Sequence, residues 1–274
     1  MRRSAYALAM MTAGASIMVS HAAMAQDADT FDWSGPYVGV NAGAAINGDT
    51  SFRDTTGDLP NNVNALNQGL RPVANTVKDS GFTGGAQIGY NLNRRGLLLG
   101  VEADINYTDL DKTETLSNTS NFGPLGTPSA TPVTRDNQYR GKLDYLGTVR
   151  ARLGLTFDRV LVYGTGGLAY GRINQETIYY GPNAGDTPFF AGRNRKTDLG
   201  GVYGGGVEFA MPTESFLNFF NSSAVTVKAE YLHYDLGYRN LRFPGVNGGA
   251  NIGGYDSRVR TDGDVVRAGI NYKF

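Results

Sequence analysis

Lys142-Leu143-Asp144-Tyr145-Leu146-Gly147-Thr148-Val149-Arg150-Ala151-Arg152-Leu153-Gly154-Leu155-Thr156-Phe157 is the stretch that decides the fold class. Its odd positions, Leu143, Tyr145, Gly147, Val149, Ala151, Leu153, Leu155 and Phe157, are apolar or small, while its even positions include Lys142, Asp144, Thr148, Arg150, Arg152 and Thr156. A period of two belongs to a β-strand, whose successive side chains point to opposite faces. One face is oily and the other charged. The C-terminus repeats the pattern, with Val266, Ala268, Ile270, Tyr272 and Phe274 opposed to Arg267, Gly269, Asn271 and Lys273. So does 224–235, where Val225, Val227, Ala229 and Tyr231 oppose Thr226, Lys228 and Glu230. In 160–172 parity leaves the two faces unassigned.

Working outward from these segments, strands are predicted at 36–46, 81–92, 97–107, 142–156, 160–172, 200–210, 224–235 and 263–274. The connections 47–80, 108–141, 173–199 and 236–262 are long and rich in Asn, Asp, Gly, Thr, Ser and Pro, whereas Asn93–Gly96 and Phe157–Arg159 are tight. The connection at 211–223 contains Phe216-Leu217-Asn218-Phe219-Phe220 and reads as an interfacial turn or a single helical turn. Long loops on one side and short turns on the other is the outer-membrane pattern. About ten residues rising roughly 3.3 Å each, tilted by about 40°, also cover the roughly 25 Å of a barrel's apolar band.

A soluble sandwich would alternate too, with its oily face in the core. The placement of aromatic residues decides between them. Phe82, Tyr107, Tyr145 and Tyr203 fall near loop ends and Phe157, Phe209, Tyr272 and Phe274 near turn ends, all on the oily face. Two such girdles suit the two membrane interfaces. The expected fold is an all-β, eight-stranded antiparallel transmembrane β-barrel. Its remaining rival, a water-soluble lipocalin-like barrel, would fractionate with the periplasm without detergent.

Residues 1–25 read as a signal peptide: Arg2 and Arg3, an apolar run from Ala5 to Val19, and the small-residue site Ala23-Met24-Ala25. Cleavage is expected between Ala25 and Gln26, leaving a short periplasmic segment at 26–35 and the barrel domain at 36–274. Beyond the signal no stretch approaches the roughly 18 to 20 apolar residues of a membrane helix. The 25 Lys and Arg balance 25 Asp and Glu, so no basic footprint points to nucleic acid. With no cysteine, disulfides and thiolate metal sites are excluded.

By parity the inner face collects Glu102, Asp104, Asp144, Arg150, Arg152, Glu208, Lys228, Glu230, Arg267 and Lys273. The interior of an eight-stranded barrel is just wide enough for side chains, and desolvating an unpaired ion costs several kcal/mol, so these charges are expected to pair. Glu208 with Lys228 and Glu230 with Arg267 lie at similar depths on neighbouring strands. Such a network is either a salt-bridged plug or a narrow charged pathway, and the small lumen favours the plug. Inward-facing Gly85, Gly89, Gly154, Gly204, Gly206 and Gly269 leave room for a thin water-filled crevice.

Catalytic signals are weak. Gly164-Thr165-Gly166-Gly167-Leu168-Ala169 fits a dinucleotide fingerprint, but Tyr170-Gly171-Arg172-Ile173-Asn174 follows instead of a helix. Of the two histidines, His21 is in the signal peptide and His233 shares the outer face with Tyr231, as an interfacial aromatic. Some eight-stranded outer-membrane barrels act on lipids, so fold alone does not exclude catalysis. No Ser/His/acid group stands at one depth, and neither an enzyme nor a cofactor or metal site is expected.

The chain resembles the small outer-membrane porin-like proteins, often labelled outer-membrane immunogenic proteins. The likeness is carried by Trp33-Ser34-Gly35-Pro36-Tyr37-Val38-Gly39, Gly84-Gly85-Ala86-Gln87-Ile88-Gly89-Tyr90-Asn91 and Leu99-Gly100-Val101-Glu102-Ala103-Asp104. It continues in Arg150-Ala151-Arg152-Leu153-Gly154, Tyr163–Gly171, Lys228–Gly237 and Val266–Phe274. The resemblance implies a place in the cell outer membrane among lipid and lipopolysaccharide, with both termini in the periplasm. It also implies a C-terminal aromatic, here Phe274, that the barrel-assembly machinery reads. Relatives are surface antigens contributing to the envelope, some linked to haem binding or adhesion, although the loops here hold no histidine. The name porin implies a channel for small solutes. Pro60, Asn61, Asn62, the 118–138 stretch with Pro124, Pro128 and Pro132, and Tyr179-Tyr180 before Gly181-Pro182 are expected to be exposed, as suits host or ligand contacts.

Overall fold

The computed structural model describes residues 31–123, 126–181, 187–212, 218, 220, 222–247 and 252–274. The signal peptide with its Ala25/Gln26 site lies outside the described residues, as does most of the turn at 211–223. The strands are β1 (Gly35–Gly57), β2 (Asn75–Arg94), β3 (Leu97–Phe122), β4 (Pro128–Phe157), β5 (Val160–Tyr180), β6 (Pro188–Ala210), β7 (Ala224–Pro244) and β8 (Gly254–Lys273). A short helix, α1 (Pro60–Asn67), follows β1. Each strand pairs antiparallel with the next, and β1 pairs with β8, closing the barrel. Across the apolar band closure gives every strand a paired neighbour on both sides, which a sheet in hydrocarbon requires.

The tight turns lie where the sequence places them. β2 and β3 join through Arg95 and Gly96, at φ 51° and 85°, the double positive φ that a two-residue hairpin needs to match strand twist. The long connections are different from expectation. Much of 47–80, 108–141, 173–199 and 236–262 is strand, so the barrel wall continues far beyond the apolar band. There the outward side chains meet water and the inward ones mix apolar residues such as Tyr139 and Val259 with polar ones such as Asn137 and Thr177, so the local composition reads as loop.

The register shifts where the wall leaves the apolar band: at Ala45/Gly48, Tyr107/Leu110, Leu143/Leu146 and Asp235/Tyr238. In β4, Asp144 and Tyr145 together oppose Arg172 of β5. An extra residue exchanges the two faces beyond it. Leu143 and Leu146 are consequently both buried inside, and Lys142 and Asp144 turn outward. Asp144, expected inward, is therefore on the outer face, because the bulge breaks the strand's parity between it and Leu146. In β5, Leu161, Tyr163, Thr165 and Ala169 point inward, and Val160, Val162 and Leu168 point outward.

The interior is stacked in layers. From the periplasmic end come Trp33, Leu98, Leu161, Tyr163 and Ala210, then the charged residues, then an apolar layer including Leu110, Leu143, Leu146, Val202, Leu232 and Val265. At the outer end lies an aromatic layer with Phe52, Tyr139, Tyr179, Phe190, Phe243 and Tyr255. On the outside, Val101, Ile105, Val149, Leu153, Leu168 and Val207 are half exposed, as lipid-facing side chains are.

Candidate functional site: the buried charge network

Four acids, Glu102 and Asp104 from β3, Glu208 from β6 and Glu230 from β7, meet four bases, Arg150 and Arg152 from β4, Lys228 from β7 and Arg267 from β8. None is more than 5% exposed. Register brings part of the set together, since Glu102 pairs with Arg150 across β3 and β4 and Glu230 with Arg267 across β7 and β8. Side-chain reach does the rest. Arg150 donates to Glu102 (2.5 Å), Asp104 (2.9 Å) and Glu230 (2.8 Å). Arg267 donates to Glu230 (2.6 Å) and Asp104 (3.0 Å), and Lys228 to both oxygens of Glu102 (2.8 and 3.0 Å). Arg152 holds Glu208 at 2.6 Å and lies 4.0 Å from the centre of the Tyr163 ring.

Uncharged groups complete the coordination. The Tyr37 hydroxyl donates to Glu102 (2.7 Å) and accepts from Arg152 (2.6 Å), while the Tyr163 hydroxyl donates to Glu230 (3.0 Å). Thr148 donates to Asp104 (2.6 Å), Asn271 to Glu208 (2.8 Å), and Thr226 also to Glu208. Four negative and four positive charges leave the cluster formally neutral. That balance is what a low-dielectric interior demands, because each carboxylate and cation has lost its water.

Eight of the ten predicted residues are thus assembled. Asp144 is outside, within 4 Å of Lys142, Arg172 and Arg195. Lys273 stands at the periplasmic mouth, donating to the Asp32 carbonyl and lying 5.3 Å from the centre of the Phe31 ring, away from the network. Of the two expected pairs, Glu230–Arg267 forms. Glu208 and Lys228 are register neighbours, yet Glu208 is taken by Arg152 while Lys228 crosses the lumen to Glu102. In so narrow a barrel the opposite wall is as reachable as the next strand. Tyr37 and Tyr163 were missed. The first sits on the inner parity of β1, which could have revealed it, and the second lies in the strand whose faces stayed unassigned.

The crevice expected over the inner glycines is filled. A Cβ on Gly89 would collide with the Tyr37 ring, and one on Gly206 with the Tyr163 hydroxyl, so these glycines make room for the two tyrosines. His233 is on the outer face, its Nδ1 2.9 Å from Asp264 and its ring 5.1 Å from Tyr203. Pro60 opens α1, as a residue without an N–H can. Four residues expected at the exposed surface, Asn62, Arg135, Asn137 and Tyr179, are instead buried, Asn62 bonding the carbonyls of Ile252 and Gly254 and Tyr179 joining the aromatic layer.

Comparison with known proteins agrees with this architecture. The family described as "Outer membrane protein beta-barrel domain" matches residues 11–274. The 31 kDa outer-membrane immunogenic proteins of Brucella melitensis and Brucella suis are each 31% identical over 271 residues, covering 98% of this chain and 95% of theirs. The crystal structure of the outer membrane protein OprG from Pseudomonas aeruginosa is similar at a TM-score of 0.45 and 14% identity, over 88% of this chain and 97% of that one. An antiparallel ring of eight strands with an apolar outer band, matched over almost its whole length, makes this chain a member of the outer membrane protein beta-barrel domain family, resident in the cell outer membrane.

Proposed function

We propose that the protein is a closed structural barrel, exported by cleavage between Ala25 and Gln26, that strengthens the envelope and presents its outer end as an antigen. The observation that carries this is the sealed interior. A neutral charge network lies between an apolar layer at Trp33, Leu98 and Leu161 and another at Leu110, Leu143 and Leu232. An aqueous path would have to cross both layers, so the porin-type channel is the less favoured alternative. Catalysis is likewise not assigned: the acids inside are enclosed and His233 faces outward. The antigenic role draws on the Brucella relatives, whose name calls them immunogenic.

Several partners follow from the same reading. Lipid is contacted by the outer band, and lipopolysaccharide by the basic side chains Lys142, Arg172 and Arg195 around Asp144 together with Arg140 on Asp111. Phe274, 61% exposed and with its N–H bonded to the Pro36 carbonyl (3.1 Å), serves as the signal for the barrel-assembly machinery. Planar-bilayer recording of refolded protein tests the central claim. Silence is expected from protein whose gel mobility changes on boiling. Reproducible conductance steps that change in size or ion selectivity in R150A/R152A would replace the plug with a channel.

A further inference from the structure

The outer end of the barrel holds a cavity of about 230 Å³, above the aromatic layer. Its apolar wall is formed by Leu59, Ala65, Leu70, Phe189, Phe190 and Ile252, and exposed Leu59 and Asn61 mark the side open to the exterior. Two arginines also line it. Arg71 is 4% exposed and Arg135 7%.

Their partners set them apart from every base in the network below. Arg71 donates to the carbonyls of Asp136 (3.1 Å) and Tyr180 (2.6 Å) and to the side-chain oxygen of Asn137 (2.8 Å), and its guanidinium lies 4.7 Å from the centre of the Tyr179 ring. Each of these acceptors is uncharged. Arg135 uses Nη1 on the Thr134 carbonyl (2.9 Å), and its Nε and Nη2 make no hydrogen bond among the described residues. Neither arginine has a carboxylate within 4.0 Å among those residues, although the rest of the molecule pairs its buried cations closely. Burial pulls both guanidinium pKa values down, and for Arg71 the nearby charge of Arg135 adds to the fall. Two like charges, held mostly out of water and with no counterion among the described residues, are a costly arrangement unless an anion completes it. A guanidinium fork suits a carboxylate or phosphate, and the surrounding wall suits an apolar body.

We infer that this cavity is a binding site for a small organic anion with an apolar body, its carboxylate or phosphate held by Arg71 and Arg135 and its body against Phe189, Phe190 and Leu70. The site goes beyond a structural role for the barrel and does not depend on whether the lumen conducts. Arg71 also ties the α1 segment to β4 and β5, whereas Nε and Nη2 of Arg135 have no partner among the described residues and can serve the ligand.

Refolded full-length protein in nanodiscs should be titrated calorimetrically with phenylacetate, phenyl phosphate and the neutral phenylacetamide. Saturable binding of at least one anion is expected, with phenylacetamide at least tenfold weaker. R135Q should weaken the anion at least tenfold and leave the amide unchanged, with R135K restoring part of the loss. Tighter binding of phenyl phosphate would mark the natural ligand as a phosphate ester, and tighter binding of phenylacetate as a carboxylate. If R135Q fails to refold, the comparison of acid with amide on the wild type decides alone. Equal affinity for acid and amide, no loss in a folded R135Q, or no saturable heat with any probe would overturn the inference.

Discussion

Replacing Arg150 by methionine keeps most of the side-chain length and removes the charge that three carboxylates share. Glu102, Asp104 and Glu230 lie 2.5, 2.9 and 2.8 Å from its guanidinium nitrogens. The cluster then holds four carboxylates against three cations, in a layer between two apolar clusters. Breaking a buried ion pair by removing one partner costs about 3–5 kcal/mol, and R150M should fall in that range. Adding D104N restores the balance at three against three. The double variant should therefore be more stable than R150M, with a coupling of at least about 1 kcal/mol. Urea unfolding in phospholipid vesicles measures both. Trp33 is the sole tryptophan, 1% exposed with its indole N–H on the Asp158 carbonyl at 2.8 Å, so its emission reports the loss of the folded barrel. A loss below about 1 kcal/mol for R150M, or no recovery in the double variant, would refute the account of a desolvated, charge-balanced layer.

Two further substitutions test the geometry around that layer. G89A places a methyl against the Tyr37 ring, whose hydroxyl links Glu102 and Arg152, and should cost about 1–3 kcal/mol by overpacking in the same urea assay; a neutral result would mean the ring is not confined. D144N, beyond the β4 bulge on the outer face, should change stability by less than about 0.5 kcal/mol, and a loss comparable with that of R150M would place Asp144 back inside the barrel.

The stretches at 146–157 and 266–274 were legible because lipid on one side and a filled lumen on the other impose different chemistry on alternate residues. The same rule failed at Leu143-Asp144, where a bulge inserts a residue that no composition signal marks. It also failed in the outer wall. Leu241 and Phe243 point inward and Arg242 outward, so the segment alternates, but its outer face is polar and the whole reads as a loop. Asn62 and Tyr179, expected at the surface, are buried because the barrel continues around them.

Sequence alone determined the number of strands, their order, the membrane-facing side of most of them and a set of ten candidate inward charges, of which eight meet in the interior. All of these are local properties, set by a period of two and by which residues tolerate hydrocarbon. Only the tertiary structure decided that Lys228 reaches Glu102 across the lumen while Glu208 belongs to Arg152, that Asp144 is outside, and that Arg71 and Arg135 share a cavity. Those outcomes depend on closure, bulge position and side-chain reach between strands far apart in the chain, and no single strand carries that information.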